Sequence, residues 1–173
     1  SRLGKNGVML WRFANGADHS PVMPAEFVPP IKSVGHGTTC VCDLEAEYPV
    51  WLVLYELAQD VGHRLRKNEL AARGVQITVK DNDLDYRQYQ TPLPFPSQSP
   101  LEIAQAGFAL FRQHYFWEKP VRALTIRGIN LVSAHQPVQL DMFCNAEARE
   151  RRRALDDCVD EIRRRFGNRA ICA

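Results

Sequence analysis

No run of this 173-residue chain stays apolar for the roughly 20 residues that a membrane-spanning helix needs, and no charged-then-apolar leader opens it. A spanning segment and a secretory leader are therefore not expected, and no membrane partner is. Cysteine is scarce and odd in number: Cys40, Cys42, Cys144, Cys158 and Cys172 form no CxxC pair and have no histidine at finger-like spacing. A zinc or disulfide framework is not expected on that count. Cys40 and Cys42 would point to the same face of a strand, but no further ligand lies near them in sequence, so they are read as metal-free. Charge of one sign is missing too, since the formal net charge is only +2. A nucleic-acid partner must then be argued from where the charges lie, not from their sum. These absences fit a globular protein of a reducing, cytoplasmic compartment.

What is present suffices for a core, with 45% hydrophobic residues. The opening stretch "SRLGKNGVMLWRFANGAD" sets Leu3, Leu10, Trp11 and Ala14 at helical spacing. It starts inside that helix, which reads as a piece cut from a longer protein. Residues 19–32 carry four prolines and little periodicity, the pattern of an extended linker.

Beyond the linker, "KSVGHGTTCV" reads as a strand of about eight residues. Trp51, Leu54, Tyr55, Ala58, Val61 and Leu65 then recur at steps of three and four, which predicts an amphipathic helix over 49–67. Arg64, Arg66 and Lys67 close it, where cations favour the negative end of the helix dipole. In "GVQITVKDND", Val75, Ile77 and Val79 alternate with Gln76, Thr78 and Lys80, the pattern of a half-buried strand. The cluster Asp81-Asn82-Asp83 supplies a turn, and "DYRQYQTPL" returns as a second strand that Pro92, Pro94 and Pro96 should end. Ser99-Pro100-Leu101-Glu102 has the form of a capping box, followed by the apolar stripe Ala104, Phe108, Phe111 and Tyr115. Phe116 and Trp117 should pack beneath the last strand, "VRALTIRGINLV". In that strand Leu124 and Ile126 face in, Thr125 and Arg127 face out, and Gly128 marks a bulge.

The order strand, helix, strand, strand, helix, strand predicts an α+β fold of the split βαβ kind. Its four-stranded, mainly antiparallel sheet has two helices on one face, with a further helix at each end of the chain. The other sheet face should be open, and Gln76, Thr78, Lys80, Thr125 and Arg127 aim at it. Such a lining can be laid against a phosphate backbone. Lys80, Arg87 and Arg127 singly read as solvated surface, and as a set on this face they suit phosphate. In "GHGTT" the glycines and threonines either merely suit a bulged strand or let backbone and hydroxyl groups approach phosphate oxygens. The string "VQLDMF" gathers Leu140, Met142 and Phe143 among poor core formers, with Gln139 at its head. Either it folds back as an apolar patch or it docks as an extended peptide into a partner's pockets. A last helix, 148–167, should present Leu155, Val159, Ile162 and Phe166 on one side and stop at Gly167.

Taken in order, "GKNGVMLWRFANGAD", a proline-containing linker, "KSVGHGTT", the two-helix sheet and "QLDMF" resemble the C-terminal end of Y-family translesion DNA polymerases of the bacterial DNA polymerase IV type. The resemblance covers essentially the whole chain. It implies that residues 1–18 are the end of a thumb subdomain and 19–32 a linker. Residues 33–134 would be the little finger, 135–147 a clamp-binding tail and 148–167 a helix without an assigned role. The implied partners are primer-template DNA and a sliding clamp. Ser33, Gly35, His36, Thr38 and Thr39 would lie along DNA, joined by Thr78, Lys80, Arg87 and Arg127, in binding that is weakly sequence-specific and falls steeply with salt. Gln139, Leu140, Met142 and Phe143 would enter the clamp. The carboxylates that hold two magnesium ions belong to palm and fingers outside this stretch, so it is expected to hold no cofactor and to catalyse nothing alone. Asp81, Asp83 and Asp85 depart from a basic hairpin and would repel phosphate. The rival reading is a free-standing split βαβ module, either an RNA-binding sheet or a small regulatory domain.

Overall fold

A computed structural model describes residues 3–137, 146–167 and 170–171. The chain divides into two units, Ser1–Pro30 and Ile31–Ala173. In the first unit, helix α1 spans Gly4–Ala14 and buries none of its residues. It stops where Asn15 returns its side-chain amide to the Trp11 carbonyl at 2.7 Å and Gly16 turns left-handed at φ +71°.

The second unit is built from β1 (Ser33–Leu44), α2 (Glu47–Lys67), β2 (Leu70–Asp81), β3 (Tyr86–Ser97), α3 (Pro100–His114), β4 (Val121–Ser133) and α4 (Ala146–Phe166). The four strands form one antiparallel-paired sheet, as the alternation of helix and strand predicts, and their order is β1-β4-β2-β3. β4 lies between β1 and β2, so β1 and β3 are the edges.

Apolar periodicity places the core. The buried residues Leu54, Val61 and Leu65 of α2 and Ile103 and Phe111 of α3 meet Val75, Ile77, Val79, Leu124 and Ile126 of the sheet. Each such side chain contributes about 1.5–3 kcal/mol of burial. The helices come very close to the sheet because glycine permits it. A Cβ at Gly107 would sit 2.8 Å from the Ile126 Cδ1.

Several local expectations are corrected. β3 does not end at Pro92 but runs through Pro94 and Pro96 to Ser97. Prolines at alternate positions remove N–H groups from one side of the strand only, and an edge strand has a side that needs none. Gly128 is not bulged: it pairs directly with Val34 and Val75. Its missing side chain makes room instead, since a Cβ there would lie 3.0 Å from that of Ala72. The left-handed residue of β4 is Asn130, at φ 53°. α3 begins at the foreseen place with Pro100 first, but Ser99 makes no cap bond. Glu102, the other half of the expected box, meets Arg152 at 3.4 Å instead. Trp117 packs edge-on against Phe111, with ring centroids 5.4 Å apart, whereas Phe116 is exposed.

In α4 the apolar set is split: Leu155 and Phe166 are exposed, Val159 and Ile162 are half-buried, and Asp156 and Asp160 meet α2. The ground beneath it explains this: the ends of α2 and α3 offer His63, Arg66 and Glu102, not apolar surface. Asp160 accepts from Arg66 Nε at 2.7 Å and lies 3.3 Å from His63 Nδ1. Asp156 stands 3.8 Å from Arg66, and Arg149 covers the Phe95 ring at 5.1 Å. Burial pushes the Asp160 carboxyl up, but the Arg66 guanidinium and His63 outweigh it and hold the group below the ordinary carboxylate range. A cleft of about 370 Å³ remains beside α4, and within its lining Arg66 is paired with Asp156 and Glu102 with both Arg149 and Arg152.

Candidate nucleic-acid interface

Strand register decides which face each candidate residue occupies, because directly paired residues of antiparallel strands point the same way. Val34, Gly128 and Val75 form one row, and His36, Ile126, Ile77 and Tyr89 the next. Thr38, Leu124, Val79 and Arg87 form a third. The buried members of these rows face the helices.

The intervening rows therefore face away. One holds Gly35, Arg127, Gln76 and Gln90, the next Gly37, Thr125, Thr78 and Gln88, and the last Thr39, Ala123, Lys80 and Tyr86. Ser33, Ile129, Gly74 and Pro92 complete the face at the other end. These rows contain no Asp or Glu. Among the described residues, neither Lys80 nor Arg127 has an acidic partner.

The expectation of one face for Lys80, Arg87 and Arg127 thus fails for Arg87. It pairs with Val79, belongs to the helix side and meets Glu118 at 3.2 Å. Bonding to Glu118 raises its pKa further above the ordinary guanidinium value. His36 and Thr38 fall on that side as well. His36 Nδ1 lies 3.2 Å from Asp60 of α2, and Arg64 donates from Nη1 to the Gly35 carbonyl at 2.9 Å while standing 3.5 Å from the same carboxylate. This cluster fastens β1 to α2. Ser33, Gly35, Thr39, Thr78, Lys80 and Arg127 remain together on the open face.

Two residues of that face escaped the sequence reading. Gln88 and Gln90 alternate with Arg87 and Tyr89, and the period of two was there to be read once β3 is accepted as a strand. Gln76 donates to Gln90 at 3.4 Å, so the glutamines form a neutral hydrogen-bonding patch beside the two cations.

The hairpin acids are organised rather than loose. Asp81 accepts the amides of Asp83 and Asp85, each at 3.0 Å. Lys119, arriving from the end of α3, sets its ammonium 2.7 Å from Asp83 and 3.8 Å from each of the other two. The bond to Asp83 raises its pKa above the ordinary lysine value. Among the described residues no group of three His, Cys, Asp or Glu side chains is arranged to hold a metal. No helix among them is long and apolar enough to cross a membrane. Gln139, Leu140, Met142 and Phe143 lie outside the described residues.

An antiparallel split βαβ sheet with helices on one side and an acid-free polar face on the other is an α+β module suited to receive an anionic ligand laid flat on its strands. Residues 31–142 match the impB/mucB/samB family C-terminal domain. The chain belongs to that family. A protein named DNA polymerase IV from Acetivibrio thermocellus is 40% identical over 166 residues, which are 96% of this chain and 42% of that protein. One of the same name from Pelotomaculum thermopropionicum is 32% identical over 170 residues, 98% of this chain and 41% of that protein. The chain therefore spans less than half the length of these curated relatives. A solved chain described as "Complex of beta-clamp processivity factor and little finger domain of PolIV" aligns with a TM-score of 0.49 at 15% identity, over 65% of this chain and 99% of its own.

Proposed function

We propose that this chain is the DNA-holding and clamp-docking C-terminal part of a cytoplasmic, error-prone translesion DNA polymerase. In this reading residues 1–18 end the thumb, 33–134 form the little finger that lies along primer-template DNA, and 135–147 carry the clamp peptide. The magnesium-dependent chemistry resides in the rest of the protein. The observation that carries the reading is the open face itself, where Lys80 and Arg127 stand among Gln and Thr side chains and, among the described residues, without acidic partners. Unpaired cations on an acid-free face are available to phosphate, and neutral amides and hydroxyls add contacts that do not read sequence. The relatives' shared name supports the polymerase assignment. An RNA-binding sheet would stack bases on aromatic rings, and Tyr86, at one corner, is the sole ring in the four open-face rows.

Two free cations lower the expected salt dependence. Log affinity should fall against log salt with a slope of about −2, not the steeper value of a strongly basic face. The experiment is a salt titration of binding to a primer-template duplex by the chain and by the double variant Lys80→Ala, Arg127→Ala. The variant should bind weakly and lose most of the slope. An unchanged slope and affinity would sink the DNA reading. For the clamp, the double variant Gln139→Ala, Phe143→Ala should weaken binding to a bacterial sliding clamp by at least about thirtyfold. Equal binding by both forms would remove the clamp peptide from the reading.

A further inference from the structure

Glycine in a strand interior weakens the strand, yet β1 carries two, Gly35 and Gly37. Neither adopts the left-handed backbone that would require glycine. The reason is space on the open face. A Cβ on Gly35 would meet the Cβ, Cγ and Nε of Arg127, each at 3.1 Å. A Cβ on Gly37 would lie 2.2 Å from Thr125 Oγ1 and 3.0 Å from its Cβ. Each glycine is the direct β1 partner of the residue whose side chain fills its notch.

We propose that Gly35 and Gly37 are positioning residues, notches in the edge strand that hold the Arg127 and Thr125 side chains flat across β1. The proposal rests on the DNA-face reading and deepens it. An arginine standing upright on a central strand would be free to rotate. Laid along the Gly35 notch, its stem is confined from Cβ to Nε, and its guanidinium is directed toward the outer edge of the sheet. There, on the opposite side of the same residue, Arg64 of α2 holds the Gly35 carbonyl. The strand carrying the notch is thus fixed from the helix side, while the cation it aims stays free of acidic partners among the described residues. Confinement lowers the ordering cost when Arg127 meets a phosphate. The glycines in this account touch no DNA.

The test is a double-mutant cycle on affinity for a primer-template duplex, with a thermal melt of every variant. Arg127→Ala should weaken binding. Gly35→Ala should weaken it about tenfold in the parent and by less than about twofold in the Arg127→Ala background, with the melting temperature little changed. Gly37→Ala should couple to Thr125→Ala in the same way. Equal losses from Gly35→Ala in both backgrounds would overturn the proposal while leaving the DNA reading intact. No loss from Arg127→Ala would overturn the reading itself. A measurement that needs no glycine variant is the nuclear Overhauser effect between the Gly35 α-protons and the Arg127 β- and γ-protons. Those cross-peaks are expected in the unsubstituted chain, and their absence would also overturn the proposal.

Discussion

On the helix side of the sheet Arg87 meets Glu118 and His36 meets Asp60, both at 3.2 Å, whereas across the open face Lys80 and Arg127 find no acid in any of the four paired rows. One chain thus treats its basic side chains in two ways. Those beside the helices are answered by carboxylates of neighbouring loops and helices and so serve the fold. Those on the bare face are left for something outside it. The paired pattern extends to α4, whose Asp160 and Arg152 meet His63, Arg66 and Glu102. Identity of the residue type therefore says little about its task. The presence or absence of an acid on the same face separates the two.

The largest expected effect breaks the paired side. Arg66 is only 11% exposed and faces Asp156 and Asp160, which are 18% and 19% exposed. Arg66→Ala leaves those carboxylates partly buried without their guanidinium, at a cost of about 2–3 kcal/mol. The loss should be local: amide hydrogen exchange should quicken along α4 while β2 and β4 keep their protection. Protection lost equally in all elements would mean that α4 is part of the cooperative core. Acid should act in the same direction. Because the Asp160 pKa is lowered by its partners in the fold, its contribution is present above the ordinary carboxylate range. It is lost as pH falls through the lowered value.

A somewhat smaller effect comes from giving the open face the acid it lacks. Thr78 lies directly beside Thr125 and Gln88, in the row between those of Lys80 and Arg127. Thr78→Asp should pair with one or both cations and repel phosphate, weakening duplex binding about tenfold with little change in stability. Unchanged affinity would show that the face is not where DNA lies.

Much of this was legible before any coordinates. The helices of the sheet unit and the outward aim of Gln76, Thr78, Lys80, Thr125 and Arg127 follow from periods of 3.6 and 2, because each element buries only one side. What escaped depends on partners distant in sequence. Arg87 has the same local look as Lys80, and only the pairing of β2 with β3 assigns it to the other face. The apolar spacing of α4 puts four residues on one side but cannot say what lies beneath the helix, and the surface offered to it, set by Gln59, His63 and Arg66 of α2 and by Glu102 of α3, is polar. The prolines of β3 read as a terminator because edge position is a property of the sheet, not of the strand.

Arg87 supplies the smallest effect and the sharpest control. Its guanidinium and the Glu118 carboxylate are 52% and 67% exposed, so the pair sits in solvent that screens it. Arg87→Ala should leave stability nearly unchanged. On net charge alone it should harm DNA binding as much as Arg127→Ala, since each removes one positive charge. On the register it should leave affinity and salt slope unchanged, because the charge it removes is already answered by Glu118 and faces the helices. Measured side by side in one salt titration, the two variants separate the explanations. Equal losses would mean that the field of the whole chain attracts DNA and that the face has no special role. A loss confined to Arg127→Ala would mean that an unanswered charge on the acid-free face is what binds.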